Sequence, residues 1–254
     1  MTVEILNPEV LKYLYRNHGE FACVCYDTDP TYADRVGESC QKSGHMSGSR
    51  CEYIKFRISG IDRGTAEQMM RHEIGVSVDL SDVDNYSDLA MRVTDVSPDQ
   101  IIKNMASFRY IDKSGFDYAV PKSIESDDTA SKLYAEIMIQ IDKYRSLIKE
   151  ALIDSGMSES RAVQDSNMVL PRATTSEIVI GFTPEALIHF CHKRLCNGAQ
   201  EFIHEVAHMM KFEIMKYNPK FAEELVPHCE YLLWCPEGQK GCGRKPTRDE
   251  MQNR

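Results

Sequence analysis

The sequence lacks an excess of basic charge. Among its 254 residues, 39 Asp and Glu outnumber 30 Lys and Arg, for a formal net charge of −9. Proteins that coat nucleic acid or cling to membrane surfaces rely on massed Lys and Arg, so neither class is expected as a partner. Small anionic ligands remain open, because a local arginine pocket can sit on an acidic body. No apolar run approaches the roughly 18–20 residues that a membrane helix requires, so no membrane association is expected. The opening, Met-Thr-Val-Glu-Ile-Leu-Asn-Pro, has no basic stretch leading into an apolar one. No signal peptide is therefore expected, and the reading is cytoplasmic. There is no repeat with a period of about 20–50 residues and no low-complexity linker, so 1–254 reads as a single domain with a Cys- and Gly-punctuated tail over 227–254. Nine cysteines, an odd number with no export signal, read as reduced thiols rather than a disulfide framework.

The remaining composition, 42% hydrophobic and 27% charged, is that of an ordinary globular protein. Glu20 to Tyr26 is a short apolar-rich run, and 27–51 reads as loop plus a short helix. Tyr53 to Ile58 alternates apolar with basic residues, the period of a half-buried strand, and Gly60 ends it. Thr65 to His72 reads as a helix, 73–88 as strand-like and polar loop, and Ile101 to Phe108 as a short helix. Thr129 to Ser155 is the clearest helix. Leu133, Ile137, Ile141, Tyr144, Ile148 and Leu152 recur every three to four residues, and Gly156 stops it. A short helix over 159–168 precedes Pro171, and Ser176 to Phe182 is β-rich. Thr183-Pro184 starts a further helix, with Thr at the N-cap and Pro in the first turn. That helix is expected to run past His189 and Arg194, with a bend near Asn197-Gly198, as far as Tyr217. A short helix follows from Pro219 to Val226. Helices with a few strands, out of strict βαβ alternation, make the fold class α+β, with a small central sheet and long helices.

Two groups of residues suggest metal chemistry. His204-Glu205-Val206-Ala207-His208 places two imidazoles one turn apart on a predicted helix, as in zinc hydrolases, with Glu205 as the general base. A hydrolase also needs a third ligand, for which Glu223 or Glu224 is available, and this remains an alternative function. Cys229, Cys235 and Cys242 are spaced too widely for a zinc knuckle, and Cys23 and Cys25 read as core thiols, so no metal site is assigned.

A longer set of blocks is more specific. Gly44-His45-Met46-Ser47 precedes a strand ending at Ile58-Ser59-Gly60, and Glu67 to His72 follows on a helix. Val169-Leu170-Pro171 and Thr174-Thr175 come later, then Leu187 to Arg194 and Ala199-Gln200. In order and spacing this resembles the flavin-dependent thymidylate synthases over about residues 10–245. Their motifs run "GHxSxxEH", Gln with "RHR", "S-x-N-E-x-S-x-R", "AR-x-x-LP" and "N-A-R-x-L-x-x-F…R…AQ". Cys235-Pro236-Glu237-Gly238 with Cys242-Gly243 also looks like the tail of some bacterial members.

The resemblance implies a mixed α/β subunit assembling as a homotetramer, or as a hetero-oligomer with a related subunit, with FAD bound at subunit interfaces. NADPH would reduce the flavin, and methylenetetrahydrofolate would give a one-carbon unit to C5 of dUMP or a related pyrimidine deoxynucleotide, without a cysteine nucleophile. Carried over position by position, Arg194 and Ser81 would be catalytic. Arg71, His72, Asp79 and His189 would bind the cofactor, and Gln68, Ser81 and Arg194 the substrate. Taken alone, Arg71 and His72 at a helix end would merely favour its carbonyls; the surrounding blocks give them a role. The departures are specific. Four arginine positions of the pattern hold Glu73, Val83, Asn167 and Glu185, and "EH" is Arg50-Cys51. The phosphate-binding pocket is thereby left more acidic, unless Arg50 points inward or Arg63, Arg92 or Arg172 compensates. If Glu73 and Glu185 face the cofactor, changing both to Arg raises flavin affinity. The same losses admit a non-catalytic paralogue, a binding or partner subunit, as a further alternative.

Overall fold

The structure, a computed structural model, describes residues 1–72, 101–108 and 111–252. Four strands, β1 (Thr2–Ile5), β2 (Ile54–Asp62), β3 (Ile101–Met105) and β4 (Thr175–Phe182), form one sheet in the order β1-β2-β4-β3. Leu6 N donates to Lys55 O at 2.8 Å while Gly60 lies beside Met1, so β1 and β2 run antiparallel. Ala106 N bonds to Glu177 O while Gly181 faces Ile102, which makes β3 and β4 antiparallel as well. Along β2 the expected alternation holds: Ile54, Phe56 and Ile58 are buried, and Lys55 and Arg57 are exposed. Helices interspersed with these strands along the chain make the fold α+β.

Two expectations are corrected, and one apolar run acquires its element. Ile101 to Phe108 is not helical; its first five residues are β3. Apolar positions 101, 102 and 105 satisfy a helical period too briefly to discriminate. What decides is tertiary: at Gly181 a Cβ would stand 2.7 Å from Ile102 Cγ1, so the glycine leaves the room that lets β3 lie against β4. The run Glu20–Tyr26 is the end of a long helix, α1 (Glu9–Cys25), whose buried face is Leu11, Leu14, His18 and Ala22. The expected helix from Pro184 to Tyr217 is two helices, α7 (Pro184–Arg194) and α8 (Glu201–Met215); Gln200 caps the second by accepting from Ile203 N. Asn197-Gly198 therefore marks a full break.

The other helices are α2 (Ala33–Lys42), α3 (Arg63–Met70), α4 (Lys122–Glu125), α5 (Asp128–Asp154), α6 (Glu159–Ser166), α9 (Pro219–Glu224), α10 (His228–Leu232) and α11 (Arg248–Gln252). The clearest predicted helix is α5. Asp127 caps it through Ala130 N at 2.8 Å, and Gly156 follows it at φ 91, a left-handed conformation that glycine adopts without strain.

The chain divides into two compact units. The first holds Met1–Thr2, Ile58–Met70 and Asn104–Val179. Its core gathers Phe116, Met138 and Leu170, with Tyr118, Tyr134 and Ile141 packed against them. Arg145 of α5 is fully buried there, with Asp112 at 3.3 Å, Asp142 at 3.4 Å and Ser114 Oγ at 2.9 Å. The second holds Val3–Arg57, Arg71–Lys103 and Ile180–Arg254. In it Phe56, Phe182 and Phe190 pack ring against ring, and α8 buries Ile203, Val206, Ala207, Met210 and Ile214. Here α1 crosses α2 in close contact. A Cβ on Gly19 would fall 1.7 Å from Ala33 O, and one on Gly37 1.8 Å from Tyr15 O, so only glycine fits either position.

Candidate functional site

Helix α7 sets the second unit's cationic site. Thr183 Oγ1 accepts from Ala186 N at 3.3 Å, and Pro184 occupies the first turn, as the sequence indicates. Buried Leu187, Phe190 and Cys191 anchor the helix and leave His189 and Arg194 half-buried. His72 lies just beyond α3 and is only 5% exposed. Its ring meets Phe190 edge-on at 5.1 Å and His189 at 6.0 Å, and Lys103 Nζ donates to its backbone carbonyl at 3.0 Å.

The electrostatics of this group are unusual for an acidic chain. Burial, reinforced by the Arg194 charge, pushes His72 down to about 3. Burial also lowers His189, with Lys193 and His228 adding to it. Both imidazoles are therefore neutral near pH 7, each with one donor and one acceptor nitrogen. Burial works against the Arg194 charge as well. Among the described residues, His72 Nε2, His189 Nε2 and Arg194 Nε are buried without a hydrogen-bond partner. Buried polar atoms are normally satisfied by a partner. A guanidinium pairs best with an electron-rich group, an anion or a polarised carbonyl.

The structure thus brings together His72, His189 and Arg194. Arg71, in the turn after α3, is exposed. Gln68 is half-buried on α3, in the first unit. Asp79 and Ser81 lie outside the described residues, as do Glu73, Val83 and Arg92.

Two of the departures are committed to internal contacts. Glu185 is not a bare negative charge. Arg50 grips it with both arms of its fork, Nε to Oε2 at 2.6 Å and a terminal nitrogen to Oε1 at 3.3 Å. Arg50 and Glu185, read above against Glu and Arg of the motifs, are bonded to each other. This pairing was hidden by a separation of 135 residues; the clue was that both departures change the sign of a charge, in opposite senses. Asn167 is 3% exposed. Its amide donates to Phe108 O and Ile111 O, both at 2.9 Å, and its carbonyl oxygen faces Arg145 at 3.4 Å. In the first unit, Arg63 and Arg172 both reach Glu67, at 3.1 and 3.7 Å, and Arg63 also lies over the Phe108 ring at 5.1 Å.

The metal motif is incomplete as a hydrolase. His204 and His208 bring their Nε2 atoms to 3.1 Å on α8. Glu224, offered as a third ligand, is held instead by the Tyr15 hydroxyl at 2.9 Å and the Gln41 amide at 2.6 Å. Among the described residues no group of three or more His, Cys, Asp or Glu side chains is placed to hold a metal. All nine cysteines are free thiols, and burial raises Cys191 to about 12, which keeps it inert. No helix among the described residues is long and apolar enough to cross a membrane.

Comparison with known proteins agrees with these blocks. Residues 15–220 match the family described as thymidylate synthase complementing protein. A flavin-dependent thymidylate synthase of Nitratidesulfovibrio vulgaris is 31% identical over 214 residues, covering 84% of this chain and 77% of that protein. Proteins of the same name from Clostridium tetani and Pyrococcus abyssi are 26% and 28% identical, over 79% and 81% of the chain and 73% and 75% of their own lengths. With the family match spanning most of its length, the chain belongs to the flavin-dependent thymidylate synthase family.

Proposed function

We propose that this protein transfers a one-carbon unit from methylenetetrahydrofolate to C5 of dUMP, or of a closely related pyrimidine deoxynucleotide, with FAD as the bound cofactor and NADPH as reductant. The observation that carries the reading is that His72 Nε2, His189 Nε2 and Arg194 Nε are buried without a hydrogen-bond partner among the described residues, in a chain whose family relatives bear this activity in their names. These residues fit a flavin and a nucleotide, since both present ring carbonyls and phosphate oxygens to donors of this kind. FAD supplies reducing equivalents when bound.

Each residue then has a task. Arg194 donates toward the pyrimidine carbonyl where negative charge accumulates as C5 becomes nucleophilic, and stabilises that charge without moving a proton. His72, neutral and wedged against Phe190, offers Nε2 to the cofactor at a fixed orientation, and His189 does so from α7. Arg71 and Gln68 extend the cofactor and substrate contacts. Asp79 and Ser81 complete the assignment by position in the motif, Asp79 toward the cofactor and Ser81 as a second catalytic and substrate-binding group. The protein works in the cytoplasm as a homotetramer, or beside a related subunit. An exposed apolar stripe on α5, with Leu133 at 56%, Ile137 at 53% and Tyr144 at 58%, supports self-association.

One rival has a specific observation behind it. Asn167 and Glu185 stand at arginine positions of the motif and spend their side chains on internal contacts, as in a paralogue that binds without catalysing. Titration of the purified protein with FAD and then dUMP, followed by flavin fluorescence, separates the two. Saturable changes at both steps are expected. R194A should weaken the nucleotide step by about tenfold or more, the loss of one charge-assisted contact. No saturable change at high micromolar FAD refutes the enzymatic reading.

A further inference from the structure

The histidine pair on α8 takes no part in that function, yet its geometry is well defined. Four residues apart, His204 and His208 project from one face of the helix. Their ring centroids are 4.5 Å apart at an interplanar angle of 76°, with the Nε2 atoms 3.1 Å apart. His208 is exposed and His204 half-buried. Two imidazole nitrogens that share a metal at 2.0–2.1 Å, with an angle between right and tetrahedral at the ion, stand about 2.9–3.4 Å apart. The observed spacing falls inside that range. In the metal-free protein one ring must donate its N–H to the other, so a proton sits where an ion would.

We propose that His204 and His208 form a two-imidazole clamp for a divalent transition-metal ion of the zinc, nickel and copper class. As the ion binds, the donating ring moves its proton from Nε2 to Nδ1 by exchange with solvent, so both Nε2 lone pairs face the metal with no net proton released, and water fills the remaining positions. The pair is preorganised: Ile203, Val206, Ala207 and Met210 are fully buried and hold that stretch of α8 in place. The nitrogen spacing therefore depends on a packed helix rather than on a loop, so little ordering cost attends binding. Glu201, one turn before His204, shares this face and adds an acidic neighbour. Lys211 and Arg244 are charged neighbours of His208. The same two cations repel an arriving ion, so the site binds moderately and exchanges. With two protein ligands and Glu224 engaged elsewhere, the clamp is a binding site and not a hydrolytic centre.

The inference is independent of the flavin reading, so either can fail alone. Its test is calorimetric titration of the untagged full-length protein with Ni²⁺, in a non-chelating reductant, for wild type, H204A and H208A. Expected is one saturable Ni²⁺ per chain beyond any thiol-bound metal, weakened at least tenfold in each variant, while thiol-bound metal is equal in all three. Ni²⁺ should also raise the thermal midpoint of wild type but not of H208A, whose exposed position makes it safe for folding if H204A is not. No saturable binding by wild type, or unchanged affinity in H208A, overturns the proposal.

Discussion

The Arg50–Glu185 pair offers the sharpest check on how this chain departs from its family's motifs. Side-chain exposures of 37% and 27% place the pair between surface and core. Fully exposed pairs contribute about 0.2–1 kcal/mol, and hydrogen bonds to charged groups about 1.5–3 kcal/mol. Two bonds in a fork at partial burial should couple by about 1–2 kcal/mol. In a domain of this size that is roughly 2–8 °C in thermal midpoint. A double-mutant cycle with R50A, E185A and R50A/E185A isolates the coupling. Each single variant should lose stability, and the double variant little more than either. E185R alone should be worse still, because it sets two guanidinium groups face to face, whereas R50E/E185R should recover most of the loss. The expectation that changing both Glu73 and Glu185 to Arg raises flavin affinity therefore needs Arg50 changed with Glu185. Additive single losses, with no recovery in the swapped variant, would show that the bond contributes nothing and refute the reasoning.

Two further outcomes concern stability. Lys149, hydrogen-bonded at 2.6 Å, holds Asp112 down to about 2 against its ordinary 3.8, and Lys220 and Lys42 hold Glu38 at about 2. A depressed acid stabilises the fold above its unfolded value and loses that contribution as pH falls through the folded one. The thermal midpoint should thus be flat from neutral pH to about 5 and fall between about 4 and 2, less steeply in D112N and E38Q; an identical acid slope in both variants would contradict this. At the α1–α2 crossing, G19A or G37A drives a methyl into a backbone carbonyl and should cost about 3 kcal/mol or more in urea unfolding. An unchanged urea midpoint would mean the helices do not meet there.

Local chemistry was legible wherever a short stretch decides its own structure. The alternation in β2, the three-to-four spacing of α5 with Gly156 after it, and the Thr183-Pro184 start of α7 all follow from side-chain period, capping and backbone freedom, which nearest neighbours settle. The order of the motif blocks was legible too, because it is a property of the linear chain. Other features needed the tertiary structure. Ile101–Met105 became a strand because β4 has a glycine where Ile102 must lie. Glu185 is neutralised by an arginine 135 residues away, and Asn167 holds the carbonyls of Phe108 and Ile111. His72, far from α7 in sequence, lost its charge only when Phe190 and Arg194 closed on it. The sequence by itself determined the strongly periodic elements, the family and the residue types available for chemistry. Which of those residues meet, and with what charge, was decided by contacts between distant segments, since burial and pairing energies depend on neighbours that the linear order does not name.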